Sequence, residues 1–161
     1  MTSSHRSRAW MALAFVAGVL GTSVAHADPV LRCNFAKASK APPPSGPVLA
    51  AVTKGALTEI PLNSVQFTDK GITRKVLVQG LYARRSEVNS VEVIARVVNC
   101  TDHALHIEGR TNFMDAMQLP TEPVSAWQRV FLAPRSVGVY REISVDTQGV
   151  ANFLVELREA R

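Results

Sequence analysis

The sequence predicts an all-β domain, an immunoglobulin-like β-sandwich of about seven antiparallel strands, with a small β-barrel as the alternative architecture. Apolar and polar residues alternate with a period of two in several short segments, a pattern that puts one strand face in a core and the other in water. These segments recur about every 8–15 residues with turn residues between them, which is typical of sandwiches and barrels. The Cys–Trp–Cys order of true immunoglobulin domains is missing, because Trp127 follows Cys100. We therefore expect the immunoglobulin-like form only.

Four predicted strands lie in the first half of the domain. Pro61 and Asn63 interrupt the first of them, and a charged turn, Arg84–Asn89, follows the second. The third has the clearest alternation, since one face is entirely apolar and the other includes two charged residues. The four strands are Leu57–Phe67, Lys75–Arg84, Val91–Val98 and Leu105–Phe113, and the apolar face of the third consists of Val91, Val93, Ala95 and Val97.

Three further strands follow, separated by turn residues at Pro134-Arg135 and at Thr147–Gly149. Helical signals are weak, and Asp115–Leu119 is the one candidate for a single helical turn. The predicted strands are Trp127–Ala133, Val137–Val145 and Val150–Arg158.

Residues 1–27 have the three-part layout of a secretory signal peptide. Arg6 and Arg8 precede an uncharged apolar run, and Ala25-His26-Ala27 places small residues at the two positions that signal peptidase reads. The apolar run of about 16 residues is shorter than the roughly 20 needed to span a bilayer. We expect cleavage after Ala27 and export through the general secretory pathway to the periplasm.

Cleavage would leave 134 of the 161 residues and lower the formal net charge from +5 to about +3, since two arginines and no acidic residue would be removed. A lipoprotein signal needs a small residue just before its cysteine and an apolar run that leads directly into it. Here Arg32 precedes Cys33, and Asp28-Pro29 separates Cys33 from the apolar run. We therefore expect neither a lipid anchor nor a transmembrane helix in the mature chain.

The basic residues occur as pairs at strand ends, not as a patch interleaved with aromatic residues, so no nucleic-acid partner is expected.

Cys33 and Cys100 both remain in the mature chain. An even number of cysteines in an oxidising compartment predicts a disulfide, and the wide spacing does not match a Cys-x-x-Cys redox pair. Residues 28–47 form an N-terminal arm and a Pro-rich connector that suits neither a helix nor a central strand. The β-sandwich domain comprises residues 48–161, and the disulfide would tie the arm to its middle.

His103 and His106 are the candidate metal ligands, since imidazole is the commonest side-chain ligand. They converge only if residues 100–104 form a turn, and the alternative is two solvated histidines. Met114 could add a thioether for copper or could simply fill the core. Nucleophile-elbow and phosphate-loop motifs are missing from the sequence, so we expect neither enzymatic activity nor a cofactor.

A Pro-bounded loop leads into Trp127, Gln128 and Arg129. Tryptophan and arginine are enriched among residues that anchor protein interfaces. The sequence leaves open whether Trp127 packs in the core or faces a partner. Arg110, Trp127 and Arg129 are the candidate partner-binding residues.

The second half of the chain also carries a recognisable series of short motifs. A Val-rich strand is followed by an Asn-x-Thr turn, a strand that ends near an aromatic residue and an aspartate, a tryptophan close after a small residue, and a strand with a Pro-containing turn. The matching positions are Asn99, Thr101, Phe113, Asp115, Ser125, Trp127, Leu132 and Pro134. Between Val97 and Leu157 the chain thereby resembles the YcfL-like (DUF1425-type) family of bacterial envelope proteins.

That resemblance implies a periplasm-facing β-sandwich encoded near envelope machinery. Members of the family are commonly lipoproteins, and this sequence departs from them at Cys33. We expect an exported, non-enzymatic β-sandwich that binds another cell-envelope protein. It could be an accessory subunit of a secretion, pilus or cell-wall assembly. The alternative is a periplasmic copper- or zinc-binding protein that uses His103 and His106.

Overall fold

A computed structural model describes residues 31, 33–38, 46–51 and 53–161. The predicted signal peptide and most of the Pro-rich connector lie outside these residues. The described chain is all-β apart from a four-residue α-helix, α1, at Phe35–Ala38 and two short 3₁₀ turns at Leu62–Ser64 and Ile72–Arg74. Its nine strands are β1 (Val48–Leu49), β2 (Thr58–Ile60), β3 (Val65–Phe67), β4 (Val76–Arg85), β5 (Val91–Asn99), β6 (Leu105–Met114), β7 (Gln128–Leu132), β8 (Val137–Ile143) and β9 (Asn152–Glu159).

The strands form two sheets, which confirms the predicted β-sandwich and not the small barrel. The four-stranded sheet has the order β2-β4-β5-β8, and all of its pairs are antiparallel. In the five-stranded sheet, β7, β6 and β9 are consecutive neighbours, and β1 and β3 share the other edge of β9. β3 is parallel to β9, whereas the other pairs in that sheet are antiparallel.

The predicted first strand is corrected by the structure, because residues 57–67 form two strands in different sheets. β2 pairs with β4, and β3 pairs with β9. Between them the chain makes a 3₁₀ turn after Pro61, which has no amide hydrogen to continue a ladder. The Ser64 hydroxyl closes the turn by donating to the Pro61 carbonyl at 2.7 Å. The interruption seen in the sequence is therefore a crossover from one sheet to the other.

The turn at Asp115–Leu119 is held by its aspartate and is not helical. Oδ1 of Asp115 accepts hydrogen bonds from the backbone amides of Met117 and Leu119, at 2.8 and 2.9 Å. Gln118 has a positive φ of 63°, which an α-helix does not contain. An aspartate side chain that bonds nearby amides competes with helix formation, and here it wins.

The core lies between the sheets, and the alternation read from the sequence describes it well. The inward residues of β5, namely Val91, Val93, Ala95 and Val97, are fully buried. Gly109 on β6 allows the Tyr140 ring to lie against the backbone, since a Cβ there would come within 2.5 Å of the ring. This close contact joins the edge strand β8 of the four-stranded sheet to β6 of the five-stranded sheet.

The predicted disulfide is present. Cys33 and Cys100 are bonded with their Cα atoms 5.8 Å apart, and α1 follows directly on the arm side. Closing a loop with a sequence separation of 67 residues stabilises a domain by roughly 4 kcal/mol in the chain-entropy model. Within the residues that the structure describes, no helix is long and apolar enough to cross a bilayer.

Candidate functional site

The outer face of the five-stranded sheet brings the three predicted partner-binding residues together. Alternate residues of β6 point away from the core, and Arg110 is one of them. Arg129 lies on the same face of β7, opposite Glu108 in the register. Trp127 immediately precedes β7 and its ring reaches across β6. Residues far apart in sequence thus meet because β7 and β9 flank β6.

Glu108 lies at the centre of a charged cluster on this face. Its carboxylate pairs with Arg158 of β9 at 2.8 Å and with Arg129 of β7 at 3.3 Å. The same carboxylate is largely buried by its neighbours. Arg129 donates a further hydrogen bond to the Arg161 carbonyl at 2.9 Å. Two strands on either side of β6 are therefore joined through a single acidic side chain.

The Arg158 hydrogen bond lowers the pKa of the Glu108 carboxyl below its ordinary value. Burial acts in the opposite direction, and the Arg129 hydrogen bond adds to the lowering. The carboxylate therefore stays ionised and paired at neutral pH.

A second ion pair continues the cluster along β6 and β9. Arg110 donates to Glu156 at 2.6 Å, and Asn112 donates to the same carboxylate at 3.1 Å. Arg110 is thereby held in one position over the sheet.

Trp127 bridges these two ion pairs. The Cζ atom of Arg110 lies 4.4 Å from the centroid of the ring, and that of Arg158 lies 3.9 Å away. Both distances are within the range of a cation–π interaction. Trp127 is half-buried and lies on the outer face, so the structure excludes the core-packing alternative. We call the surface formed by Glu108, Arg110, Trp127, Arg129, Glu156 and Arg158 the tryptophan face.

Sequence reasoning missed three members of this surface, namely Glu108, Glu156 and Arg158. Alternation in residues 150–158 does place Glu156 and Arg158 on one side of a strand. The pairing of β9 with β6 could not be read from the sequence, since the residues that meet are 46 and 50 positions apart.

The outer face of the four-stranded sheet carries a similar arrangement without a tryptophan. Glu92 of β5 is buried between Arg84 of β4 and Arg141 of β8, and it forms close ion pairs with both. Burial alone would raise the pKa of this carboxyl, but the hydrogen bonds from the two arginines and their charges lower it overall. Among the described residues, no cation–π contact involves these arginines.

The predicted metal ligands do not gain a third partner. His106 is exposed on the outer face and its ring packs against Phe131, with centroids 5.3 Å apart. Asp102, next to His103, forms an ion pair with Arg135 at 2.8 Å. Met114 is eight residues from His106 along β6, about 26 Å at the rise of a strand. No group of three or more His, Cys, Asp or Glu side chains in the described ranges could hold a metal ion.

A buried polar group also links the two sheets beneath the tryptophan face. The Tyr140 hydroxyl lies 2.9 Å from the Thr111 hydroxyl and 3.2 Å from Glu142. Burial raises the pKa of the Tyr140 phenol well above its ordinary value, and the nearby Glu142 charge adds to this. The phenol therefore stays protonated, and its hydroxyl forms a hydrogen bond between buried groups of the two sheets.

No protein-family model matches the sequence, and no curated protein matches it either. Two solved structures are similar to it. One is that of Campylobacter jejuni cj0090, which is 13% identical, with a TM-score of 0.50 over 60% of this chain and 98% of that chain. The other is a DUF1425 family member from Shewanella sp. pv-4, 16% identical, with a TM-score of 0.46 over 53% of this chain and 79% of that chain. The Campylobacter jejuni structure shares the fold of this chain.

Proposed function

We propose that this protein is exported to the bacterial envelope and acts by binding another envelope protein through the tryptophan face. It serves as a non-enzymatic accessory subunit of a larger assembly. The Cys33–Cys100 disulfide supports a location in an oxidising compartment. The secretory signal in residues 1–27 and the sequence resemblance to envelope proteins support the location.

One observation carries the choice of surface. The Trp127 ring lies on the outside of the sheet, where Arg110 and Arg158 hold it in place. A large, half-exposed aromatic side chain fixed beside arginines is the type of residue that anchors interfaces. Because its position is already fixed, binding would cost little side-chain entropy.

The test is site-specific photo-crosslinking in cells, with a photoreactive phenylalanine analogue at Phe131 on this face. We expect one discrete crosslinked partner, which is lost when Trp127→Ala is introduced. The matched control is Tyr82→Ala, which removes a half-buried aromatic side chain from the outer face of the other sheet. That variant should leave the crosslink intact.

A crosslink of equal strength in the wild type and in Trp127→Ala would exclude Trp127 as an anchor. A crosslink lost equally in Tyr82→Ala would show a general loss of folded protein. Thermal unfolding of each purified variant identifies that case, because a folded variant melts cooperatively.

A further inference from the structure

The loops at one end of the sandwich expose large apolar side chains. Val88 lies between β4 and β5, Met117 between β6 and β7, and Val145 between β8 and β9. They are 71%, 80% and 86% exposed, respectively, although each belongs to a residue type that usually packs inside. Leu119 and Val124 on the middle loop are also exposed. We call loops 86–90, 115–126 and 144–149 together the loop end.

Hydrogen bonds join these three loops to one another. The Asn89 side chain donates to the Thr147 carbonyl at 2.5 Å, which joins the first loop to the third. Glu122 accepts a hydrogen bond from the Asp146 amide at 2.6 Å, which joins the second loop to the third. The apolar side chains at their tips therefore lie on loops that are bonded to one another, and we refer to them together as the patch.

Each loop is also fixed internally. Asp115 accepts the amides of Met117 and Leu119, as described above, and Asp146 accepts those of Gln148 and Gly149 at 2.8 and 3.1 Å. Asn89 closes the first turn through its amide, at 2.9 Å from the Ser86 carbonyl. A patch held in this way loses little conformational entropy on binding.

Charge distinguishes this end from the opposite one. The loop end contains four acidic residues and no basic residue. At the other end, segments 68–75, 100–104, 133–136 and 160–161 contain five basic and two acidic residues. The basic residues that neighbour the loop end are Lys54 and Arg85, and Arg85 is engaged by the Asn89 and Val150 carbonyls.

We infer that the loop end is a second docking surface, and that it binds a basic amphipathic segment of a protein partner. The apolar tips would receive the apolar side of that segment, and the surrounding carboxylates would face its lysines or arginines. Anionic lipid headgroups would be repelled by the same carboxylates. Two loop ends of this chain would repel each other for the same reason.

This inference does not depend on the tryptophan face, which lies on the side of the five-stranded sheet. The probe is a synthetic amphipathic helix of leucine and lysine, about 18 residues long. Binding is followed by backbone amide chemical shifts of the full mature protein, with a leucine–glutamate peptide and a scrambled leucine–lysine peptide as comparisons.

We expect the leucine–lysine peptide to shift amides of the three loops and to bind more weakly as salt rises. Its affinity should fall at least about tenfold when the tips are replaced together by Val88→Ser, Met117→Ser and Val145→Ser. The matched control replaces three exposed residues of β8, through Val137→Ser, Val139→Ser and Ile143→Ser. That control and Trp127→Ala should both leave the affinity for the leucine–lysine peptide unchanged. The result for the loop end is therefore independent of whether the tryptophan face binds a partner.

Several outcomes would overturn the inference. They are equal binding of the acidic or scrambled peptide, shifts confined to other residues, and unchanged affinity in the tip variant. Co-sedimentation with vesicles of phosphatidylethanolamine and phosphatidylglycerol would instead assign the patch to a membrane. Self-association that the tip variant abolishes would assign it to a second copy of this chain.

Discussion

The two outer faces of the sandwich each bury a glutamate between two arginines, but one of them adds a tryptophan. Glu92 is held by Arg84 and Arg141 on the four-stranded sheet, and Glu108 is held by Arg129 and Arg158 on the five-stranded sheet. Both carboxylates lie on a central strand and join its two neighbours. The glutamate–arginine cluster that both faces share therefore stabilises each sheet.

What differs is the use of the arginines. On the tryptophan face, Arg158 lies over the Trp127 ring and Arg129 also donates to the Arg161 carbonyl. In the described part of the chain, Arg84 and Arg141 have no polar partner besides Glu92. A structural ion pair does not require an aromatic ring beside it, so Trp127 is the feature that calls for a separate explanation.

The largest expected effect is the loss of stability on removal of each glutamate. Glu92→Ala leaves two arginines without their partner. Breaking a fully buried pair costs about 3–5 kcal/mol, and the partial exposure of these arginines reduces our expectation to about 1–2 kcal/mol. Glu108→Ala should cost less, because Arg129 and Arg158 keep other partners. Urea unfolding of both variants measures the difference, and an equal or larger loss in Glu108→Ala would contradict it.

The second prediction concerns the acid side of the stability profile. The pKa of Glu92 and that of Glu108 are both lower in the folded protein than the ordinary value of 4.5. Each therefore contributes stability that is present above about pH 4.5 and is lost as the pH falls through the lower folded pKa. Glu92→Gln and Glu108→Gln should each flatten the decline in unfolding free energy between about pH 5 and pH 3.

Denaturant titrations at several pH values provide the measurement, and the double variant should be flatter than either single variant. A decline of unchanged steepness in all three would show that other carboxyls govern acid unfolding. Asp146→Asn provides a comparison that involves no arginine, since the Gln148 and Gly149 amides lower the pKa of Asp146, and it should also flatten the decline.

The sequence predicted which residues of a strand face the core, but not which residues of different strands meet on each outer face. Alternation identified the buried residues of β5 because a two-residue period alone decides which side of a strand faces the core. It could not separate β2 from β3, because a proline can equally mark a break in one strand or a change of sheet. The disulfide was predictable from the even number of cysteines and the predicted compartment, without any knowledge of distance.

The cluster around Trp127 was predictable only in part. Arg110 and Arg129 were chosen by residue type, and the structure places them on the same face as Trp127. Glu108 and Arg158 were missed, since their meeting requires β9 to pair with β6 across an intervening hairpin and crossover. Strand order in a sheet follows from packing of the whole domain, and no local pattern encodes it.

A smaller effect on stability is expected from Trp127 itself. Trp127→Ala removes two cation–π contacts at a partly exposed site, which should cost about 1 kcal/mol. Trp127→Phe keeps a ring and should cost about half of that. Thermal unfolding measures both variants. A much larger loss in Trp127→Ala would mean that the ring is mainly structural and would weaken the case for an interface.

The smallest effect on stability belongs to the most informative pair of variants. Arg129 and Arg141 each pair with the buried glutamate of their own cluster, and each side chain is 57% exposed. Exposed ion pairs contribute about 0–1 kcal/mol, so Arg129→Ala and Arg141→Ala should both unfold within about 1 kcal/mol of the wild type. If the tryptophan face binds a partner, the photo-crosslink at Phe131 weakens in Arg129→Ala and persists in Arg141→Ala. Because stability is matched between the two variants, a difference in crosslinking reports the surface itself, and identical crosslinking would mean that both clusters serve only the fold.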